Sequence, residues 1–359
     1  MSLAILGLGT AVPPDRVNQD DALAMSAELI CEDPRQQRLM RIMFRKSGVT
    51  NRHTVLPWKT GYAWKQGQET SRSGRGPSTG QRMQIYSDQA APLARRASSA
   101  ALEDAGLDPR EITHLITVSC TGFDAPGVDI DLIRTLGLPP TTERIHVGYM
   151  GCHATINGLR AARGLAACDP DARILLCAVE LCSLHYRLTW DDEGMVGNAL
   201  FADGAAAVVC AASESKGPAL WNVPSTGSCL IPDSENEMSW RIGDHGFEMR
   251  LTGQVPVLIE EHLQKWMADW LDGLGETIDS VGTWAVHPGG PRILDAVENA
   301  INLPRKACAV SREVLDQFGN MSSPTVLFIL DRLRRRDAAL PIVMLGFGPG
   351  LMAEIALLK

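Results

Sequence analysis

The stretch Val147-Gly148-Tyr149-Met150-Gly151-Cys152-His153-Ala154 decides how the chain is read. The run Arg144 to Val147 leading into it reads as a buried strand. Gly148 and Gly151 break that strand, and Ala154 to Ala162 begins a helix with small and apolar residues on one side. Cys152 therefore sits on a strand-to-helix turn. Unpaired backbone N–H groups and the positive end of the helix dipole meet there, and both favour a thiolate. The expectation is a cysteine acidified from ~8.5 into the range of roughly 3.5–7.5. Taken alone, the residue fits equally well as a small buried side chain beneath a helix.

The chain has 359 residues, room for two ordinary domains or one large duplicated one. Its 45% hydrophobic and 21% charged residues suit a globular protein. A formal net charge of -8 argues against a broad nucleic-acid footprint. Met1 to Leu6 lacks the basic start of a signal peptide. No apolar stretch approaches the ~20 residues of a membrane span. The nine cysteines are odd in number and scattered, which predicts reduced thiols in a cytoplasmic protein.

Strands are expected at Leu3–Gly9, Leu115–Cys120, Arg173–Glu180 and Ala205–Ala212, and the continuous apolar character of Arg173–Glu180 suits a parallel sheet covered on both faces. Gly7-Leu8-Gly9 starts like a dinucleotide loop, but the third glycine is missing and Pro13-Pro14 blocks the helix. Helices are expected over Gln19–Leu29, capped by Asn18, and over Arg35–Phe44, Gln81–Ala105 and Asp129–Leu136. Pro57 to Gly80 reads as one long loop. Later come a hairpin of Met238–Ile242 with Phe247–Leu251 and a helix from Val255 to Leu271. The strand Thr283–His287 precedes helices at Arg292–Ile301, at Ser311–Gln317 with Ser311 as cap, and at Pro324–Arg335. Strands Ile342–Phe347 and Leu351–Leu358 flank Gly348-Pro349-Gly350. Each half ends in a strand–helix unit and two strands near a glycine-rich turn, which predicts a duplication without residue-level repetition.

Cys152, His287 and Asn320 each lie beside a glycine where an element starts or ends. Ligands of α/β sheets gather outside the carboxyl ends of strands. If the halves pack face to face, the three converge. A thiolate can then hold an acyl group as a thioester, while an imidazole and a carboxamide donate to a thioester oxygen and stabilise enolate charge without a metal. In isolation His287 fits a strand end and Asn320 a helix cap. Cys177 and Cys182 lack the second pair that zinc needs. Papain-like proteases also use Cys, His and Asn, but without this duplicated strand pattern. The basic run Arg332, Arg334, Arg335 and Arg336 complements a helix dipole.

Five motifs in order, Gly151-Cys152-His153-Ala154, Ala199 to Ala207, Val286 to Leu294, Gly319-Asn320-Met321-Ser322-Ser323 and Gly346 to Gly350, resemble the type III polyketide synthases, the chalcone/stilbene synthase-like family, in a bacterial form. The resemblance spans nearly the whole chain. It implies an α/β thiolase fold of duplicated αβαβα layers. The half 1–220 would carry the nucleophilic cysteine, and the half 221–359 the histidine and asparagine. It implies a homodimer that loads an acyl-CoA starter on Cys152, decarboxylates malonyl-CoA, extends repeatedly and cyclises to a pyrone or resorcinol-type product. CoA thioesters would be substrates, with no cofactor and no metal.

By the same resemblance, His287 and Asn320 polarise the malonyl thioester. Phe201 is the gatekeeper, whose apolar ring disfavours a hydrated carboxylate. Lys46 falls where the family grips CoA phosphates, with Arg45 and Arg52 as further candidates. Gly289 falls in the loop lining the CoA tunnel, and Ser322 in the substrate pocket. Several positions depart from the plant pattern: Cys120 for threonine, Ala125 at the residue reaching into the partner's cavity, His185 for threonine, Met249 for phenylalanine, and Trp240 for glycine. Trp240 would shorten the main cavity, while Ala125 and Cys120 would open space for an alkyl chain, so the expected starter is a fatty acyl-CoA. A single-round ketoacyl synthase and a non-catalytic thiolase-fold acyl-binding protein remain alternatives.

Overall fold

The computed structural model describes residues 2–66, 74–213 and 219–359. The first half opens with β1 (Leu3–Ala11), β2 (Asp15–Asn18), α1 (Gln19–Ile30), α2 (Pro34–Lys46), β3 (Asn51–Thr54), α3 (Thr60–Gln66) and α4 (Thr79–Ala105). It continues through β4 (His114–Ser119), α5 (Val128–Leu136), β5 (Glu143–Gly148), α6 (Ala154–Cys168), β6 (Arg173–Leu181), α7 (Met195–Leu200) and β7 (Asp203–Ala212). Local chemistry sets these boundaries. Asn18 accepts the Asp20 N–H at the head of α1, and Asp33 caps α2 with proline in its first turn. Ser78 and Gln81 form a reciprocal capping box on α4, which ends on Gly106 at φ 61.

The second half begins with β8 (Trp221–Val223), β9 (Ser225–Leu230), the hairpin β10 (Met238–Gly243) and β11 (Gly246–Leu251), and α8 (Val255–Asp272). It ends with β12 (Thr283–Val286), α9 (Pro291–Ala300), α10 (Ala309–Phe318), α11 (Thr325–Arg334), β13 (Ile342–Gly348) and β14 (Met352–Leu358).

Two sheets carry the duplication. The first runs β5-β4-β6-β7-β1-β8 and the second β12-β13-β14-β9. Within them, β4-β6-β7-β1 and β12-β13-β14-β9 share one pattern: a parallel pair, then two antiparallel pairs. The sheets are therefore mixed, where unbroken apolar strands suggested a parallel one. Burial on both faces, not strand direction, is what the apolar runs reported.

Five layers follow. The middle one is α6 and α11, whose Ile156, Leu159, Leu327 and Ile329 pack between Ile116 and Leu176 of one sheet and Met344 and Leu358 of the other. Outside the first sheet, α4 and α5 present Ala97, Ala101 and Leu132 to Leu115, Leu175 and Val209. Outside the second, α8 and α9 present Ile259, Leu263 and Leu294 to Val343, Leu345 and Ile355. This is the α/β thiolase fold with its αβαβα layering. The Gly7-Leu8-Gly9 motif has a packing role here: a Cβ on Gly9 would lie 2.3 Å from the Ala97 carbonyl oxygen. Bare glycine lets β1 touch the alanine-rich face of α4.

Three expectations need correction. The strand before Cys152 is the outermost of its sheet, and Glu143 to His146 are exposed. Ser311 is not a cap; α10 starts earlier, at Ala309, and buries Ser311 in its interior. Pro57–Gly80 is not one loop: Thr60 to Gln66 form α3 and Thr79 begins α4, while residues 67–73 lie outside the described residues.

Candidate active site

The two halves meet where β5, β12 and α11 present their ends. β5 stops at Gly148; Tyr149 at φ 61 and Gly151 at φ 88 then turn the chain so that Cys152 precedes α6. A Cβ on Gly151 would lie 2.3 Å from Pro349 Cδ, so the nucleophile turn rests against the glycine-rich turn after β13. His287 follows β12 directly, its N–H donating to the Leu345 carbonyl at 2.8 Å. Asn320 is held on both backbone sides. Its N–H donates to Leu200 O at 2.9 Å, and its carbonyl accepts the Ala202 N–H at 2.9 Å. That ladder fixes Phe201 opposite Asn320.

Cys152, His287, Asn320, Phe201, Gly289 and Met249 line one cavity of about 460 Å³. Leu251, Ile293 and Phe347 complete a largely apolar wall. Both ring nitrogens of His287 are buried without a hydrogen-bond partner among the described residues. Asn320 Oδ1 accepts the Ser322 N–H at 2.8 Å, which leaves its NH2 as the free end toward Cys152. Ser322 reaches this position from the left-handed region, at φ 59, and its hydroxyl is 3.3 Å from Cys120 Sγ.

The electrostatics pull against one expectation. The Cys152 thiol is pushed up to about 11, chiefly by burial and further by the Glu180 carboxylate, against hydrogen bonds from Ser322 and Asn320. Burial, with His153 beside it, holds His287 down at about 3. Nucleophile and imidazole thus rest as neutral thiol and neutral ring. Burial here acts against the helix-terminus effect that sequence position predicted.

Sequence patterning assigned no role to Glu180. It lies fully buried one residue before the end of β6 and accepts from Cys120 N–H at 2.9 Å, Thr121 Oγ1 at 2.6 Å and Ser323 Oγ at 2.5 Å. An acid closing an otherwise apolar strand was the available signal.

The other candidates scatter. Trp240 donates its Nε1–H to Cys120 O at 2.7 Å and packs edge-on to Phe201 and to His185. His185 accepts the Phe247 N–H at Nδ1, 2.8 Å, so Nε2 carries the proton and donates to Thr121 O at 2.7 Å. Cys120 is buried behind Trp240, and Ala125 is exposed. Lys46 and Arg45 are exposed at the end of α2. Arg52 is not a phosphate ligand: it is buried and donates to the Asn198, Ala199 and Phe201 carbonyls at 2.7, 2.9 and 3.0 Å. Among the described residues no group of three or more His, Cys, Asp or Glu is placed to hold a metal ion.

Residues 2–214 match the N-terminal domain of the chalcone and stilbene synthases, and residues 223–359 match their C-terminal domain. The chain is 34% identical to the 1,3,6,8-tetrahydroxynaphthalene synthase of Streptomyces peucetius subsp. caesius, over 99% of this chain and 93% of that protein. Among solved structures it resembles PKS-I from the brown alga Ectocarpus siliculosus, with a TM-score of 0.90, 29% identity, and coverage of 100% of this chain and 98% of that one. It is similar too to the C-terminal type III polyketide synthase domain of Steely1 from Dictyostelium, with a TM-score of 0.91, 29% identity, and coverage of 100% and 99%.

Proposed function

The chain belongs to the chalcone and stilbene synthase family and is a type III polyketide synthase, and from that premise we propose how its own residues divide the work. The enzyme extends an acyl-CoA starter by iterative decarboxylative condensation with malonyl-CoA and cyclises the product. In our assignment Cys152 Sγ attacks the starter thioester carbonyl. Its proton passes to His287, and CoA leaves as the thiol after taking that proton back. Malonyl-CoA then loses CO2 beside Phe201, whose ring offers a carboxylate no hydration. The enolate oxygen formed is held by His287 and by the Asn320 NH2, and the enolate carbon attacks the Cys152 thioester, releasing the sulfur for another round.

One observation carries this assignment. A buried imidazole with two unsatisfied nitrogens shares a cavity with a cysteine and an amide whose donor end is free. Buried polar atoms are almost always paired, so an unpaired ring in a cavity is a donor waiting for a ligand oxygen. The test is mass spectrometry of the protein and its products with malonyl-CoA. Wild type should gain a starter acyl group and release products with several two-carbon units. Cys152→Ala should show neither; acyl-enzyme in that variant, or products of one added unit in wild type, would overturn the scheme.

Several further points are our proposals. Lys46 and Arg45 bind the CoA phosphates, supported by an α2 that carries Arg35, Arg38, Arg41, Arg45 and Lys46 with no acidic residue. The assembly is a homodimer formed along β5, whose outer edge has no strand partner among the described residues and lies beside Phe123, Ile145 and Met150, each 41 to 42% exposed. CoA thioesters are substrates, and the chemistry needs no added cofactor. No helix among the described residues is long and apolar enough to cross a membrane. The free cysteines suit the reducing cytoplasm we assign to it.

A further inference from the structure

We propose that His153 is a positioning residue for the loading step: an uncharged base whose proton is fixed on Nδ1 by a buried relay to Glu354, and whose neutrality leaves His287 free to take the Cys152 proton. This rests on the roles given above to Cys152 and His287.

Glu354 on β14 is buried and pairs with Arg160 of α6, so its carboxylate only accepts. It receives the Asn157 Nδ2–H at 3.0 Å and the Ser228 Oγ–H at 2.5 Å. Arg160 is held in turn, donating to Thr226 Oγ1 at 3.2 Å and to Gly227 O at 3.0 Å. With its NH2 turned to Glu354, Asn157 presents Oδ1 to His153, 2.8 Å from Nδ1. An amide oxygen accepts and cannot donate, so Nδ1 carries the proton of the ring. Nε2 of the neutral ring is then a bare lone pair, buried with no hydrogen-bond partner among the described residues.

Placement ties this ring to the reaction. His153 follows the nucleophile directly and stands at the N-terminus of α6. Gly346 and Gly348, on one face of β13, leave room for it. A Cβ on Gly348 would lie 2.5 Å from His153 Nε2. A Cβ on Gly346 would lie 3.1 Å from the His153 Cβ and 3.6 Å from the His287 Cβ, so both histidines flank the same bare glycine. The charged and titratable groups facing His153 are Arg160 on its own helix, Glu354 on β14 and His287 beyond β12, with Cys152 next to it in the chain. Arg160 and Glu354 offset each other as an ion pair. A proton on His153 would therefore set an unbalanced cation beside the ring that must itself become a cation when it takes the Cys152 proton. Burial holds His153 below the usual imidazole range, against the upward pull of Asn157 and Glu354. The ring is thus neutral at pH 7 and charges in acid.

The experiment is single-turnover loading of a saturating acyl-CoA onto Cys152, quenched and read by intact-protein mass spectrometry, from pH 8 down to the onset of unfolding. His287, held at about 3, leaves this rate level through weak acid, so a fall there belongs to another group. Wild type should lose about tenfold per pH unit once His153 charges, with a midpoint below the ~6.5 of a free imidazole. His153→Gln, which cannot charge, should show no acid limb over that range. Glu354→Gln, which keeps an acceptor for Asn157 without the charge, should move the midpoint down. A merely structural role would lower the plateau and leave the limb where it was. That result overturns the proposal, as does a wild-type profile that stays level until the protein unfolds. In both cases acyl-enzyme still forms and the roles of Cys152 and His287 stand; no acyl group on wild type at any pH would remove those roles instead. Long-range 15N–1H spectra of histidine-labelled wild type decide without any variant: His153 should appear protonated on Nδ1 and charge over the same interval as the limb. A ring protonated on Nε2 overturns the relay.

Discussion

At Cys152 the local turn and the tertiary surroundings pull in opposite directions. The helix end favours the anion, while enclosure beside Glu180 favours the thiol and pushes it up to about 11. The thiolate fraction should therefore grow tenfold per pH unit through the neutral range. Alkylation of Cys152 by iodoacetamide, followed by peptide mass spectrometry, should accelerate up to at least pH 9. A rate that levels off below pH 7 would mean that an imidazolium already holds the anion at rest. Asn320 acts by its NH2, since Oδ1 is occupied by the Ser322 N–H. Asn320→Ala should cost roughly 10²–10³ in malonyl-CoA decarboxylation, the usual loss for one oxyanion donor. CO2 release at near-wild-type rate would remove it from the assignment.

Elements explain why these residues stay put. α6 and α11 are covered by sheets on both sides, so the loops at their N-terminal ends are anchored by the most buried layer of the protein. β5 is the weak side of that arrangement. Its four leading residues are exposed and its outer edge pairs with no strand among the described residues. A charge placed on the exposed face should block a second copy from pairing there. Ile145→Lys is expected to shift the protein from dimer to monomer in sedimentation velocity at micromolar concentration. A wild-type protein that sediments as a monomer, or a variant that still sediments as a dimer, would locate any assembly elsewhere.

The whole molecule buries histidines that cannot charge. His185 and His287 are both held near 3 by burial, below the ~6.5 of an exposed imidazole. A lowered folded value contributes stability that is complete above about pH 6.5 and is lost as pH falls toward 3. Asp203 has the opposite sign. Burial raises it to about 6, so the folded state takes its proton first and gains between pH 6 and 4. Glu180 is raised by burial as Asp203 is, but His146 and His153 are lowered as His185 and His287 are, so four histidines stand against two carboxyls and Tm should fall on acidification from pH 7 to pH 4. A Tm that holds or rises over that range would contradict the balance.

Order along the chain was enough to specify strand–helix punctuation, the expected duplication, the motifs that carry the family resemblance and the candidacy of Cys152, His287 and Asn320. Each depends on near neighbours or on motifs whose glycines permit only one backbone course. Strand direction, the exposure of β5, the burial of Arg52 and the protonation of Cys152 were decided by folding, because each depends on groups brought in from distant parts of the chain. Glu180, more than 25 residues from Cys152, sets part of the charge at the nucleophile. The relay behind His153 likewise exists only where α6 and β14 come together. Its links are contacts across the fold, and no run of residues encodes such a contact.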